Sequence, residues 1–246
     1  MYGKHTWKFL NAIEVREYHD AKYGAPGQKR IKKRKPTPEE MAKVNQYNKE
    51  RKARHKLREY FEVNDYFSCL TYRRNARPPD MAAAKEHFRQ ALRIIRKEYK
   101  KRGAPLFWMR NIEVGTKGGW HIHLIINRIP DTDLILKAAW PHGKVQNELL
   151  YEKGEFRQLA AYITKTPLTD SRLQEADYSA SRNMPLPEPE KRTYKRWKTW
   201  KDIKVTEGFY LDEDSVREGI NPITGYPYRE YTLLRIQRIS RKERAG

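Results

Sequence analysis

The sequence predicts an α+β protein, a central antiparallel sheet with helices packed on one of its faces. Three observations carry this. Between Tyr66 and Lys165, segments with an apolar period near two alternate with segments of period near 3.6. Two neighbouring strand-like segments, Leu106 to Val114 and Trp120 to Asn127, flank a glycine-containing turn, the pattern of a hairpin. The element order that results, β-α-β-β-α-β-α, places neighbouring strands antiparallel and leaves the helices to cover the sheet.

Taken in order, residues 1–36 are basic and irregular, with Gly24-Ala25-Pro26-Gly27 and Arg30-Ile31-Lys32-Lys33-Arg34-Lys35-Pro36 reading as a mobile arm. Thr37 is an N-cap, with Pro38 at the first helical position and Glu39 and Glu40 in the first turn. The basic helix that follows, to about Glu62, has little apolar face and reads as solvated or DNA-contacting. Tyr66 to Tyr72 is a strand, rich in aromatic and β-branched residues. Pro78-Pro79-Asp80 opens a helix whose Met81, Ala84, Phe88, Leu92 and Ile95 form one stripe, and Gly103 ends it. After the hairpin come a helix from Asp131 to Trp140, a strand from Lys144 to Tyr151 and a helix from Glu155 to Lys165. Loops with Pro185, Pro187 and Pro189 follow from Asp177, then a Lys/Arg/Trp patch, a turn cluster at Asn221 to Pro227 and a short strand at Glu230 to Leu234. Three parts result: a basic arm and helix over 1–60, a folded domain over 61–185 and a basic, aromatic extension over 186–246.

Composition narrows the function. The 246 residues carry 52 Lys+Arg against 31 Asp+Glu, a formal charge of +21, so the natural partner is a polyanion. Interleaved aromatic residues, six Trp and sixteen Tyr among them, suit stacking on unpaired bases. No apolar run approaches a bilayer span, and no signal-peptide core opens the chain, so neither a membrane nor secretion is expected. A single cysteine, Cys69, fits a reducing cytoplasm. No phosphate-binding glycine loop is present, so no ATP-driven motor is expected.

Within Trp120 to Asn127, His121 and His123 are two apart on a strand and share a face. Two imidazoles so placed make half a metal site, although structural histidines on a solvated face fit the same pattern. Glu113 decides more. If the turn is the three-residue loop Thr116-Lys117-Gly118, with Gly118 left-handed, Glu113 lies directly opposite His121; a two-residue loop would put it on the other face. Two imidazoles and a carboxylate with open positions suit Mn²⁺, or Mg²⁺ with more waters, and would polarise a phosphate oxygen. An ordinary surface carboxylate is the alternative for Glu113. On the last helix, Phe156, Leu159, Ala160 and Ile163 form a buried stripe, while Tyr162 and Lys165 share another face. Of sixteen tyrosines, Tyr162 alone has lysine three residues on. It reads either as a nucleophile beside an ammonium or as a half-buried phenol with Lys165 at the helix end.

Three stations in order, Phe67-Ser68-Cys69-Leu70-Thr71-Tyr72, His121-Ile122-His123 and Tyr162-x-x-Lys165, resemble the motifs of the HUH endonucleases. The nearest likeness is to the single-tyrosine rolling-circle replication initiators of bacterial plasmids and phages. The Glu113-to-His121 spacing and Tyr178-Ser179-Ala180-Ser181-Arg182 add to it, over roughly residues 61–185. The first station is a loose version of its motif. Gln158 and Thr166 stand where two-tyrosine relatives would place a second tyrosine.

The resemblance implies a ferredoxin-like, RRM-like nickase fold with Glu113, His121 and His123 holding Mn²⁺ or Mg²⁺. Tyr162 would attack single-stranded origin DNA, presented in a hairpin, and Lys165 would assist. The expected product is a 5′-phosphotyrosine with a free 3′-OH, extended by host polymerase after a host helicase has opened the duplex, in a bacterial cytoplasm. Thr71, Tyr72, Arg73 and Arg182 are expected at the DNA, joined by Lys195, Arg196 and Trp197 of the basic patch. A single-tyrosine transposase or a relaxase is the alternative within the enzyme class, although relaxases usually carry a third histidine. A non-catalytic protein that binds single-stranded nucleic acid is the alternative outside it.

Overall fold

The computed structural model describes residues 1–19, 35–150, 156–195, 199–221 and 224–240. The predicted arm over Arg30 to Arg34, and with it Tyr151, Arg196 and Trp197, lies outside the described residues. In chain order the elements are β1 (Tyr2–Lys8), β2 (Ala12–Tyr18), α1 (Pro38–Tyr60), β3 (Tyr66–Thr71), α2 (Met81–Lys101), β4 (Trp108–Gly115) and β5 (Trp120–Ile126). There follow α3 (Thr132–Ala139), β6 (Val145–Leu149), α4 (Arg157–Ile163), β7 (Leu173–Ala180), β8 (Glu190–Tyr194), β9 (Phe209–Ile220) and β10 (Pro227–Arg235). The class is α+β, as predicted, but the described strands form two antiparallel sheets instead of one. The chain divides into two compact units, Met1–Arg51 with Leu186–Gly246, and Lys52–Pro185.

The first unit corrects the reading of residues 1–36 as irregular. Strands β1 and β2 form a hairpin inside a sheet of order β8-β1-β2-β10-β9. The basic patch supplies β8, and the turn-rich tail supplies β9 and β10. Its interior is unusually polar. Glu17 is buried and accepts hydrogen bonds from Arg229 at 2.6 and 2.9 Å, across 212 residues of sequence. A carboxylate with no partner near it in sequence looks like a solvated residue, which is why these strands are not legible beforehand.

The second unit holds a sheet of order β6-β3-β5-β4-β7. Strand β7, expected to give way to loop from Asp177 onward, continues as an edge strand paired with β4. On one face Leu70, Ile112, Ile122 and Leu124 pack against Phe88 and Ile95 of α2 and Leu136 of α3. Asp80 caps α2 by accepting from the Ala83 amide at 2.8 Å. The opposite face is covered as well, which corrects the expectation of helices on one side. There Met109 and Ile125 meet Ala160 and Ile163 of α4 and Ala53 and Leu57 of α1. The end of α1 is therefore core, although Thr37 and Glu40 cap its start reciprocally as the sequence suggested. On this second face the residues at the Trp108 end of the hairpin are apolar and those toward its turn are polar. Helices cover the apolar part, and the polar part is where the site forms.

Candidate active site on the polar half of the sheet

The hairpin turn sets the geometry. Gly118 has φ of +71°, and the Gly115 amide donates to the Gly119 carbonyl at 2.9 Å, closing a loop of three residues. The parity expected from such a loop holds, with Glu113 directly opposite His121. Strand β3 extends both rows: Thr71 lies opposite His121, and Cys69 opposite His123. Asn111 faces His123 from the β4 side. Six polar side chains thus share one patch of sheet, with His121 exposed at its outer edge.

Glu113 is 3% exposed, and its oxygens are divided between partners. Asn111 donates to one oxygen at 3.0 Å and also donates to the Lys165 carbonyl at 3.1 Å, tying the end of α4 to the sheet. The other oxygen lies 3.0 Å from the Lys165 ammonium and 3.4 Å from His123 Nε2. A carboxylate this buried needs a positive partner, and lysine provides it. Lys165 Nζ also sits 4.2 Å from the centre of the Tyr162 ring and 3.9 Å from Asp170.

Tyr162 stands at the open edge, 40% exposed, with its hydroxyl 3.4 Å from His123 Nε2. Phe67 stacks on the His123 ring at 5.6 Å and fixes its plane. Burial opposes charge on His123, yet hydrogen bonds with Cys69 and Glu113 outweigh it and raise its pKa to about 9. Burial pushes the Cys69 thiol up, while both histidines pull it down further, to about 7. The Tyr162 phenol is raised by burial and by Glu113, against the pull of Lys165. As it stands the phenol is a poor nucleophile, and added positive charge is what it lacks.

The donor set of two imidazoles and one carboxylate suits a divalent cation in type. Among the described residues, however, no group of three His, Cys, Asp or Glu side chains is placed to hold a metal ion. Glu113 already holds a cation, the Lys165 ammonium. An incoming ion would compete with that lysine.

The other expected contacts separate. Thr71 is half-buried on the site face beside His121. Tyr72, one residue on, faces the other way and is 8% exposed, its ring packed at 5.0 Å from Trp140. Strand parity makes it a core residue, not the DNA contact expected. Arg73 is exposed and donates to the Pro141 carbonyl at 2.5 Å. Arg182 and Lys195 are exposed, the latter just past β8 in the other unit. Asn111 and Cys69 join the site without having been expected there. Asn111 was legible, two residues before Glu113 and so on the same face; Cys69 depends on the β3–β5 register, which no local signal sets.

Residues 65–167 match the model of a family of replication-associated proteins, described by its ORF2 members. The match covers less than half of the chain but spans β3 to the residues just past α4, including each of these site residues except Asp170. No curated protein and no solved structure matches the chain. Among the described residues, no helix is long and apolar enough to cross a membrane.

Proposed function

We propose that this chain is a replication initiator that nicks and rejoins single-stranded origin DNA through a phosphotyrosine. The observation that carries the reading is the Tyr162 hydroxyl, accessible and 3.4 Å from an imidazole on the Glu113–His121–His123 face. The match to replication-associated proteins supports the initiator role. Tyr162 Oη attacks the scissile phosphorus, forming the tyrosine–phosphate bond as the bond to the 3′ oxygen breaks. That oxygen leaves with a proton as the free 3′-OH a polymerase needs. One phosphodiester is exchanged for another, so the step reverses to rejoin strands.

Glu113, His121 and His123 would hold Mn²⁺ or Mg²⁺, and the ion would supply Lewis-acid pull on a phosphate oxygen. Lys165, freed from Glu113, would neutralise charge near the phosphate and favour the phenolate, countering the burial that holds the phenol neutral. Only a single strand can bring its scissile phosphate into this notch between sheet and α4, so a separate helicase and an extruded hairpin are implied.

The test is a denaturing gel of the protein incubated with Mn²⁺ and single-stranded origin DNA. A covalent adduct that maps to Tyr162 by mass spectrometry is expected. Binding without any adduct would leave a non-catalytic single-strand binder, and an adduct surviving Tyr162→Phe would move the nucleophile elsewhere.

A further inference from the structure

A second charged feature of the Lys52–Pro185 unit lies away from the site. The last turns of α2, the segment from Gly103 to Leu106 and the residues just past β7 enclose a groove of about 860 Å³. Three cations line it, Arg96, Lys100 and Arg182, and no acidic residue does. All three are exposed, and among the described residues none has an ion-pair or side-chain hydrogen-bond partner. Their neighbours differ. Lys101 and Arg102, at the end of the same helix, are both paired with Glu98, at 2.8 Å each.

Leaving three cations unpaired at one place is costly in mutual repulsion unless an anion relieves it. The C-terminal end of α2 carries the negative end of its dipole, worth about half a charge, so three full charges still leave the groove positive. The walls are rigid. Ser181 donates its amide to the Trp108 carbonyl at 2.9 Å, and Asn183 donates to the Leu106 carbonyl at 3.1 Å. The aromatic rings here, Tyr99 and Trp108, are buried and offer no face for stacking. A ligand would meet cations and backbone, so the groove suits phosphates and is indifferent to bases.

Its position fits a long ligand. Trp108 and Glu113 are five residues apart on β4, about 17 Å at the usual rise of a strand. They also point to opposite faces, so the groove is separate from the Tyr162 site. From this geometry we infer that the groove is a second DNA subsite. It grips the phosphodiester backbone of the single strand beyond the segment held at Tyr162. The inference rests on the reading of the chain as a single-strand DNA enzyme.

The experiment uses the full chain and fluorescent oligodeoxythymidines of two lengths, about 6 nucleotides, enough for one single-strand site, and about three times longer. The groove variant is Arg96→Gln, Lys100→Gln, Arg182→Gln. The control, Arg89→Gln, Lys101→Gln, Arg102→Gln, removes the same charge from paired positions on and just past α2. For the groove variant, the long oligonucleotide should bind at least tenfold more weakly at low salt. Its slope of log affinity against log salt should fall by about 2, the release expected for three cations on a single strand. The short oligonucleotide should bind as it does to the parent, and the control should bind both as the parent does. Equal loss in groove variant and control would reduce the effect to net charge and overturn the subsite, as would unchanged long-strand binding. Circular-dichroism melts of both variants check the fold, and the Gln changes are confined to exposed side chains. If the parent binds neither oligonucleotide, the proposed function itself fails; if it forms the Tyr162 adduct but the groove variant binds like the parent, only the groove fails.

Discussion

Strands β4 and β5 present two different chemistries on their two faces. Toward α2 and α3 they place Ile112 and Ile122, fully buried among leucine, isoleucine and aromatic side chains. One residue along in each strand, they place Glu113, His121 and His123 toward α4. The first face lowers the free energy of the fold by removing apolar area from water. The second confines a carboxylate, a lysine and an imidazole at distances of 3.0–3.4 Å, which adds little stability. A strand's two-residue period lets one segment hold a domain together and carry a site, because mutations on one face barely touch the other.

The sharpest way to break that comparison is Tyr162→Phe. It should abolish the covalent DNA adduct completely while leaving the melting temperature and DNA affinity near those of the parent. Loss of stability as large as the loss of activity would mean the site face is structural. Its counterpart is Ile122→Ala on the buried face, expected to cost about 2–5 kcal/mol in urea unfolding through a cavity that α2 cannot fill. Adduct formation per folded molecule should survive it.

Lys165→Ala sharpens the contrast within the site face. Removing the ammonium leaves Glu113 buried without its charge partner, so the metal-free protein should be destabilised by about 3–5 kcal/mol. Mn²⁺ should then raise the melting temperature more in the variant than in the parent, because lysine no longer competes for the carboxylate. Nicking should slow by on the order of 10²-fold, the loss expected for one positioned charge at a reacting phosphate. A Mn²⁺ response equal to that of the parent would remove Glu113 from the ligand set.

The smallest expected effect is at the rim of the apolar face. Asp177 lies opposite Ile112 in β7 and is bound by Lys85 and Arg110, each at 2.6 Å. Burial raises its pKa, but these hydrogen bonds outweigh burial and hold the carboxyl below its usual range. Unfolded, it titrates near about 3.9, so its contribution is whole above that pH and is lost as the pH falls through the lower folded value. Asp177→Asn should therefore flatten the acid limb of the stability curve and change little at pH 7. A parent-like acid limb would show that the pair contributes nothing.

The second unit was largely legible, element by element, because its strands and helices carry local periodicity and its hairpin is set by a short glycine turn. The Glu113–His121 pairing followed from loop length alone. Lys165 was legible as a companion of Tyr162 on one helix face, but its contact with Glu113 was not, since nothing in the sequence relates the end of α4 to β4. In the first unit β1, β2 and β9 were not legible, because what defines them is pairing with strands that close the chain's two ends on each other.

The sequence by itself determined the charge, the alternation that puts three candidate ligands on one strand face, and the turn that aligns them. Tertiary structure alone decided that Cys69 and Lys165 join them, that Tyr72 turns inward, and that three unpaired cations meet in one groove. The physical reason is range. A turn or a strand period is fixed by neighbours in the chain, whereas a shared site between β3, β4, β5 and α4 exists only after apolar burial has brought them together.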